Sequence, residues 1–189
     1  MSRVEQPEYR VVSSQDAFEI RSYGAMIAAE AEVTGDRQVA IGAGFRLIAG
    51  YIFGGNAPRA KIEMTAPVQQ QANSAGATIA MTAPVTQQQG DKSWKVRFIM
   101  PKSWTIESLP VPSDPRVKLV PVPAKTFAAI RFSGFASDAT IRDRTADLKR
   151  FITDRKLIGA GEPMMAFYDP PWTLPFFRRN EIMFELVGQ

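Results

Sequence analysis

The stretch AFEIRSYGAMIAAEAEVTGDRQVAIGAGFRLIAGYI, residues 17–52, changes its period once, and that change sets the fold. Up to Gly35 apolar and polar residues alternate, as in half-buried strands. From Asp36, a good N-cap residue, the spacing turns helical and runs to about Ile52. Ala43, Leu47, Gly50 and Tyr51 share one face of this helix. The small residues Ala40, Gly42, Ala43 and Gly44 permit close approach to a neighbour. FGGNAPR (53–59) supplies the glycines and proline that end it.

The same order returns downstream. EYRVVSS (8–14) and WKVRFIMP (94–101) alternate as strands, the latter placing Val96, Phe98 and Met100 opposite Lys95, Arg97 and Ile99. After the proline-rich LPVPSDPR (109–116), strand-like sequence continues through AIRFSGFASD (129–138), the counterpart of AEAEVTGD (29–36). A second helix then runs from Asp138 to about Lys156, with Ile141, Leu148, Phe151 and Ile152 as its buried stripe. PMMAFYDP (163–170) and NEIMFELV (180–187) close the chain as strands. The expectation is an α+β fold over 1–189: one domain of two similar halves, about 9–100 and 117–187. Its antiparallel sheet, curved or closed into a distorted β-barrel, carries two helices.

Composition narrows the chemistry. The 189 residues are 45% hydrophobic and 22% charged, as in ordinary globular proteins. There is no cysteine and no histidine, which removes disulfides, the commonest zinc and non-haem iron sites, and the His-dependent nucleophile pairs. A net charge of +4 favours anionic ligands, but the bases are scattered and no groove-reading motif accompanies them, so no nucleic acid is expected. No apolar run is long enough for an integral membrane segment. No apolar leader opens the chain either; it reads as cytoplasmic, or as periplasmic if a signal has been removed.

Three motifs carry candidate chemistry. IEMTAPVQQQ (62–71) is nearly repeated as IAMTAPVTQQQ (79–89). The copies read as arms of a hairpin turning near Asn73–Gly76, with Val68 opposite Met81 and Met64 opposite Val85, their prolines interrupting both strands. Alternatively, Met64 and Met81 are presented to an apolar ligand. In YDPPWTLPFFRRNE (168–181), Pro170, Pro171 and Pro175 stiffen a loop bearing Trp172, Phe176, Phe177, Arg178 and Arg179. These aromatics either cover a planar ligand whose carboxylates the arginines bind, or plug the end of a barrel while the arginines pair with Glu181 or Asp169. Among carboxylates, Glu30 with Glu32 and Glu181 with Glu185 share sheet faces, and they read more readily as solvated strand faces than as an acid/base pair.

Together AFEIRSY, the doubled MTAPV, WKVRFIMP, LPVPSDPRVKL, AAIRFSG and YDPPWTLPFFRRNEIMFEL resemble the SOUL/haem-binding-protein family, from about Tyr9 to Leu186. The resemblance implies a distorted eight- or nine-stranded β-barrel-like sheet with two helices. It also implies non-catalytic binding of haem or a related tetrapyrrole, a small hydrophobic anionic ligand, as a carrier or buffer. By that resemblance the ring lies between residues 39–52 and 170–179. Leu47, Ile48, Tyr51 and Trp172 would then meet the macrocycle, Arg178 and Arg179 the propionates, and Lys61 a lesser contact. Some members are proposed to hold iron through histidine, which this chain lacks, leaving Tyr51 and Met64 as candidate ligands and a ring-dominated mode of binding. The alternative is the related GyrI-like fold: a small-molecule binder, or a hydrolase using a pocket carboxylate such as Glu185.

Overall fold

The computed structural model describes residues 5–58, 61–62, 65–72, 93–169 and 172–188. The chain opens with β1 (Tyr9–Gln15), β2 (Phe18–Tyr23) and β3 (Met26–Thr34), followed by α1 (Arg37–Ile52). Next come the two-residue β4 (Asn56–Ala57), β5 (Val68–Ala72), β6 (Ser93–Ile99), the short β7 (Val111–Pro112), β8 (Val117–Val122) and β9 (Lys125–Phe132). The helix α2 (Asp138–Asp154), β10 (Ile158–Phe167), a 3-10 turn (Pro175–Phe177) and β11 (Asn180–Val187) complete it.

Nine strands form one sheet in the order β1-β2-β9-β11-β10-β5-β6-β3-β8. Every pairing in it is antiparallel. β1 and β8 stand at opposite edges, and among the described residues no ladder joins them. Closure requires the edge strands to pair, so the barrel expected from sequence is corrected to an open sheet.

Both helices cover the same face. Met165 packs in the cluster under α2, and its cross-strand partner is Gln70. Directly opposed residues share a face, and Gln70 Nε2 donates to Arg37 O at the start of α1 (2.9 Å). Arg37 then joins the two helix N-termini, its Nε donating to Asp138 Oδ1 (2.7 Å) and its Nη2 to Ala136 O (2.7 Å). Under α1, Ala29, Val96 and Phe98 of the sheet meet Ile48, Tyr51 and Ile52. Under α2, Ala128, Ile130, Ile182 and Phe184 meet Leu148, Phe151 and Ile152.

The inward face of α1 differs from the one the spacing suggests. Ala40, Gly44, Ile48, Tyr51 and Ile52 are buried, whereas Gly50 is exposed and Ala43 and Leu47 lie on the flank. Gly44 fixes this orientation, because a Cβ there would stand 2.5 Å from Val96 Cβ. The hairpin expectation is also corrected. β5 is paired on both edges, Val68 with Phe98 of β6 and with Phe167 of β10, which corrects the partner expected of Val68. Both edges of the strand are full. The second MTAPV copy lies outside the described residues.

Candidate ligand site

Strand alternation sends a second set of side chains to the helix-free face. Tyr23, Ala129, Met164, Ala166 and Met183 are buried there, with Met26, Phe127 and Tyr168 packed against them. Residues from β2 through β8 line one common cavity on this side, so the sheet curls around it.

The larger of the two cavities described, about 640 Å³, lies where the β2–β3 turn, the end of β6 and the N-terminal segment meet. Met26, Ile27, Ile99, Met100 and Trp104 give it apolar walls, and Arg10 and Lys102 bring cations. The wall between β3 and β6 is sealed by Met100 N–H donating to Ile27 O (2.8 Å). The N-terminal segment is fastened by the Glu5–Thr65 bridge, by Ala66 N–H donating to Glu5 O (3.0 Å), and by Lys102 N–H donating to Glu5 Oε1 (2.9 Å). Lys102 Nζ is ion-paired with Glu8.

The smaller cavity, about 180 Å³, includes Tyr23, Phe127, Met164, Met183, Arg97 and Glu185. Its carboxylate is already engaged, Lys125 Nζ donating to Glu185 Oε2 (2.6 Å). Arg97 is likewise committed, its Nε donating to Glu30 Oε2 (2.5 Å).

Between β2, β10 and β11 lies a buried ionic cluster centred on Glu181, which is 1% exposed. Arg21 donates to it twice (2.6 and 3.0 Å), Tyr168 Oη once (2.9 Å) and Arg179 Nε once (2.9 Å). Burial works to raise the Glu181 carboxyl, but hydrogen bonds and charge from Arg21, then Arg179, outweigh it and hold it below the ordinary carboxylate range. Burial raises the Tyr168 hydroxyl, and the Glu181 charge raises it further. Arg21 lies over the Tyr9 ring (4.5 Å) and Arg179 over the Tyr168 ring (3.9 Å).

The structure separates the residues that the sequence grouped. Ile48 and Tyr51 face the sheet, and Leu47 packs against the same core. Tyr51 Oη donates to Pro110 O (2.9 Å), and burial pushes its hydroxyl up to about 12. From Arg37, the α1 residue bonded to segment 136–138, these positions lie roughly 15–21 Å along the helix axis at 1.5 Å per residue. Met64 lies outside the described residues, and Lys61 is exposed. Arg179 serves the Glu181 cluster, and its amide donates to Asp169 Oδ2 (2.6 Å). Arg178 Nε donates to Thr173 O (2.7 Å) beneath an outward-facing Trp172. Thus Arg179 pairs as one sequence reading had it, while the aromatics plug nothing. Met26, Met100 and Trp104 escaped the sequence reading because they come from separate segments that only the sheet's curl brings together.

Set beside known proteins, the chain matches the SOUL heme-binding protein family over residues 4–185. A search of curated proteins finds no match. Among solved structures, the EcmrR C-terminal domain is similar at 11% identity and a TM-score of 0.64, the match covering 96% of this chain and 99% of that one. A hydrolase from Listeria innocua is similar at 14% identity and a TM-score of 0.59, covering 93% of this chain and 94% of the other. The full EcmrR chain in its DNA complex matches over 56% of its length and 89% of this one, at 11% identity and a TM-score of 0.62. At such identities the likeness is one of fold.

Proposed function

This chain belongs to the SOUL heme-binding protein family, and from that premise we propose that it binds haem or a related tetrapyrrole without catalysing a reaction on it, as a carrier or buffer. The observation that carries this reading is the cavity of about 640 Å³ where the β2–β3 turn, the end of β6 and the N-terminal segment meet. It falls within the roughly 300–1,000 Å³ typical of small-molecule pockets. Met26, Ile27, Ile99, Met100 and Trp104 suit the flat apolar ring, and Arg10 suits a propionate, Lys102 being paired with Glu8. The donor set fits the ring better than the iron: with no histidine in the chain, thioethers and Tyr9 are the side chains at hand. Binding is therefore dominated by the macrocycle.

A second placement is the one the sequence resemblance implies, with the ring against Trp172 and with Arg178 and Arg179 at the propionates; of the other residues it names, Ile48 and Tyr51 are buried in the core under α1 and Met64 lies outside the described residues. The exposed indole on a braced loop supports it. A parallel titration with haemin and metal-free protoporphyrin IX, followed by Soret absorbance and tryptophan fluorescence, tests the function. Affinities within about threefold of each other (under 1 kcal/mol) are expected for ring-dominated binding. Quenching lost in Trp104→Phe locates the ring in the cavity, and quenching lost in Trp172→Phe locates it at the loop. No saturable binding of either compound rejects the proposal.

The GyrI-like alternative, hydrolysis through Glu185, has less support, because Lys125 already occupies that carboxylate. Ester hydrolysis abolished by Glu185→Gln in a folded variant would establish it.

A further inference from the structure

The loop before β11 retains a feature that tetrapyrrole binding in the cavity does not use. Phe135, Trp172, Leu174, Phe176 and Phe177 are between 56% and 83% exposed. They form one patch: Gly134 N–H donates to Pro175 O (2.8 Å), Arg178 lies 5.4 Å from the Phe135 ring centroid, and the Phe176 and Phe177 rings are 4.5 Å apart. We propose that this patch docks onto a lipid bilayer carrying anionic headgroups, its aromatics entering the interface and Arg178 remaining at headgroup level.

Three observations favour a bilayer. The side chains project outward, as insertion into a fluid surface requires. The Phe177 and Arg178 amides donate within the loop to Leu174 O (2.9 Å) and Pro175 O (3.1 Å), and the Arg179 amide donates to Asp169. Entering a medium of low polarity therefore strands none of these three donors. Finally, Asp138, three residues from Phe135, is ion-paired with Arg37. Arg178, whose guanidinium lies over the Phe135 ring, borders the patch on a chain of net charge +4. Trp and Phe beside arginine is the composition of interfacial anchors.

The test is co-sedimentation of the full chain, with no tetrapyrrole added, with phosphatidylcholine vesicles and with vesicles containing about one-third phosphatidylglycerol. Partition onto the anionic vesicles is expected, falling with added salt. A Trp172→Ser/Phe177→Ser variant should bind them roughly tenfold or more weakly, since two large apolar side chains are lost. Both positions are exposed, and an unchanged thermal midpoint verifies the variant's fold; should it unfold, Phe135→Ser is read the same way. The proposal fails if the chain binds neither vesicle, binds both equally, or binds undiminished in the variants. It also fails if these substitutions instead abolish a dimer seen by sedimentation, because a second copy then covers the patch. Haemin binding is measured separately, so each proposal fails on its own evidence.

Discussion

Glu181 shows what one residue does inside this sheet. Its carboxylate is held by Arg21, Tyr168 and Arg179, so removing the charge leaves the buried Arg21 and the half-buried Arg179 against a neutral amide. Glu181→Gln should cost about 3–5 kcal/mol in urea unfolding, the range for breaking a buried pair. Its folded-state pKa is depressed, so its stabilisation is present above the ordinary glutamate range and is lost as pH falls through the folded value. Wild type should therefore lose stability in acid, and the variant should show less of that loss. Tyr51 has the opposite sense. Burial raises its hydroxyl to about 12, so the folded chain keeps a proton that the unfolded chain releases near pH 10. Stability should be complete below about pH 10 and decline toward about pH 12, and Tyr51→Phe should remove part of that decline. Tyr23, also raised by burial to about 12, and Tyr168, raised by burial and by the Glu181 charge, add to the same decline. An alkaline decline of equal slope in both proteins would contradict the assignment.

At the scale of elements, the contact of α1 with the sheet rests on a position where only hydrogen fits. A methyl at Gly44 would meet Val96 at 2.5 Å, so Gly44→Ala should destabilise by about 1–3 kcal/mol despite the better helix propensity of alanine. A gain in stability would show that helix and strand separate more easily than the packing indicates. Both helices were legible in the sequence to within a few residues, since a change of period is a local signal. The inward face of α1 was not, because a small-residue stretch without a strong apolar stripe leaves rotation to the partner surface. β5 was legible as a strand but not its partners, for a similar reason: the hairpin reading used adjacent repeats, whereas the strand bonds to β6 and β10.

For the whole molecule, the sheet order places β2-β9-β11-β10 beside β5-β6-β3-β8, and β2 and β8 each pair with a strand of the other half. We propose that the chain is one domain of two similar halves, about 9–100 and 117–187, tied by this exchange into a single cooperative unit. Thermal unfolding followed by far-UV circular dichroism and by tryptophan fluorescence should then give coincident transitions; two separable transitions would reject the idea. The large cavity belongs to this scale as well, since the N-terminal segment forms one of its walls. Removing residues 1–8 should weaken haemin binding roughly tenfold, about 1.4 kcal/mol, while leaving most of the thermal stability in place. Undiminished affinity would move the ring out of the cavity.

The sequence by itself determined the α+β class, the two helices, most of the strands, the family, and the absence of any histidine to hold iron. These follow from local periodicity, turn chemistry and residue type. Only the tertiary structure decided that the sheet stays open, that α1 turns Ile48 and Tyr51 inward, that Arg179 serves Glu181, and that Met26, Met100 and Trp104 face one cavity. Each depends on which surfaces meet across tens of residues, and spacing along a chain does not encode that.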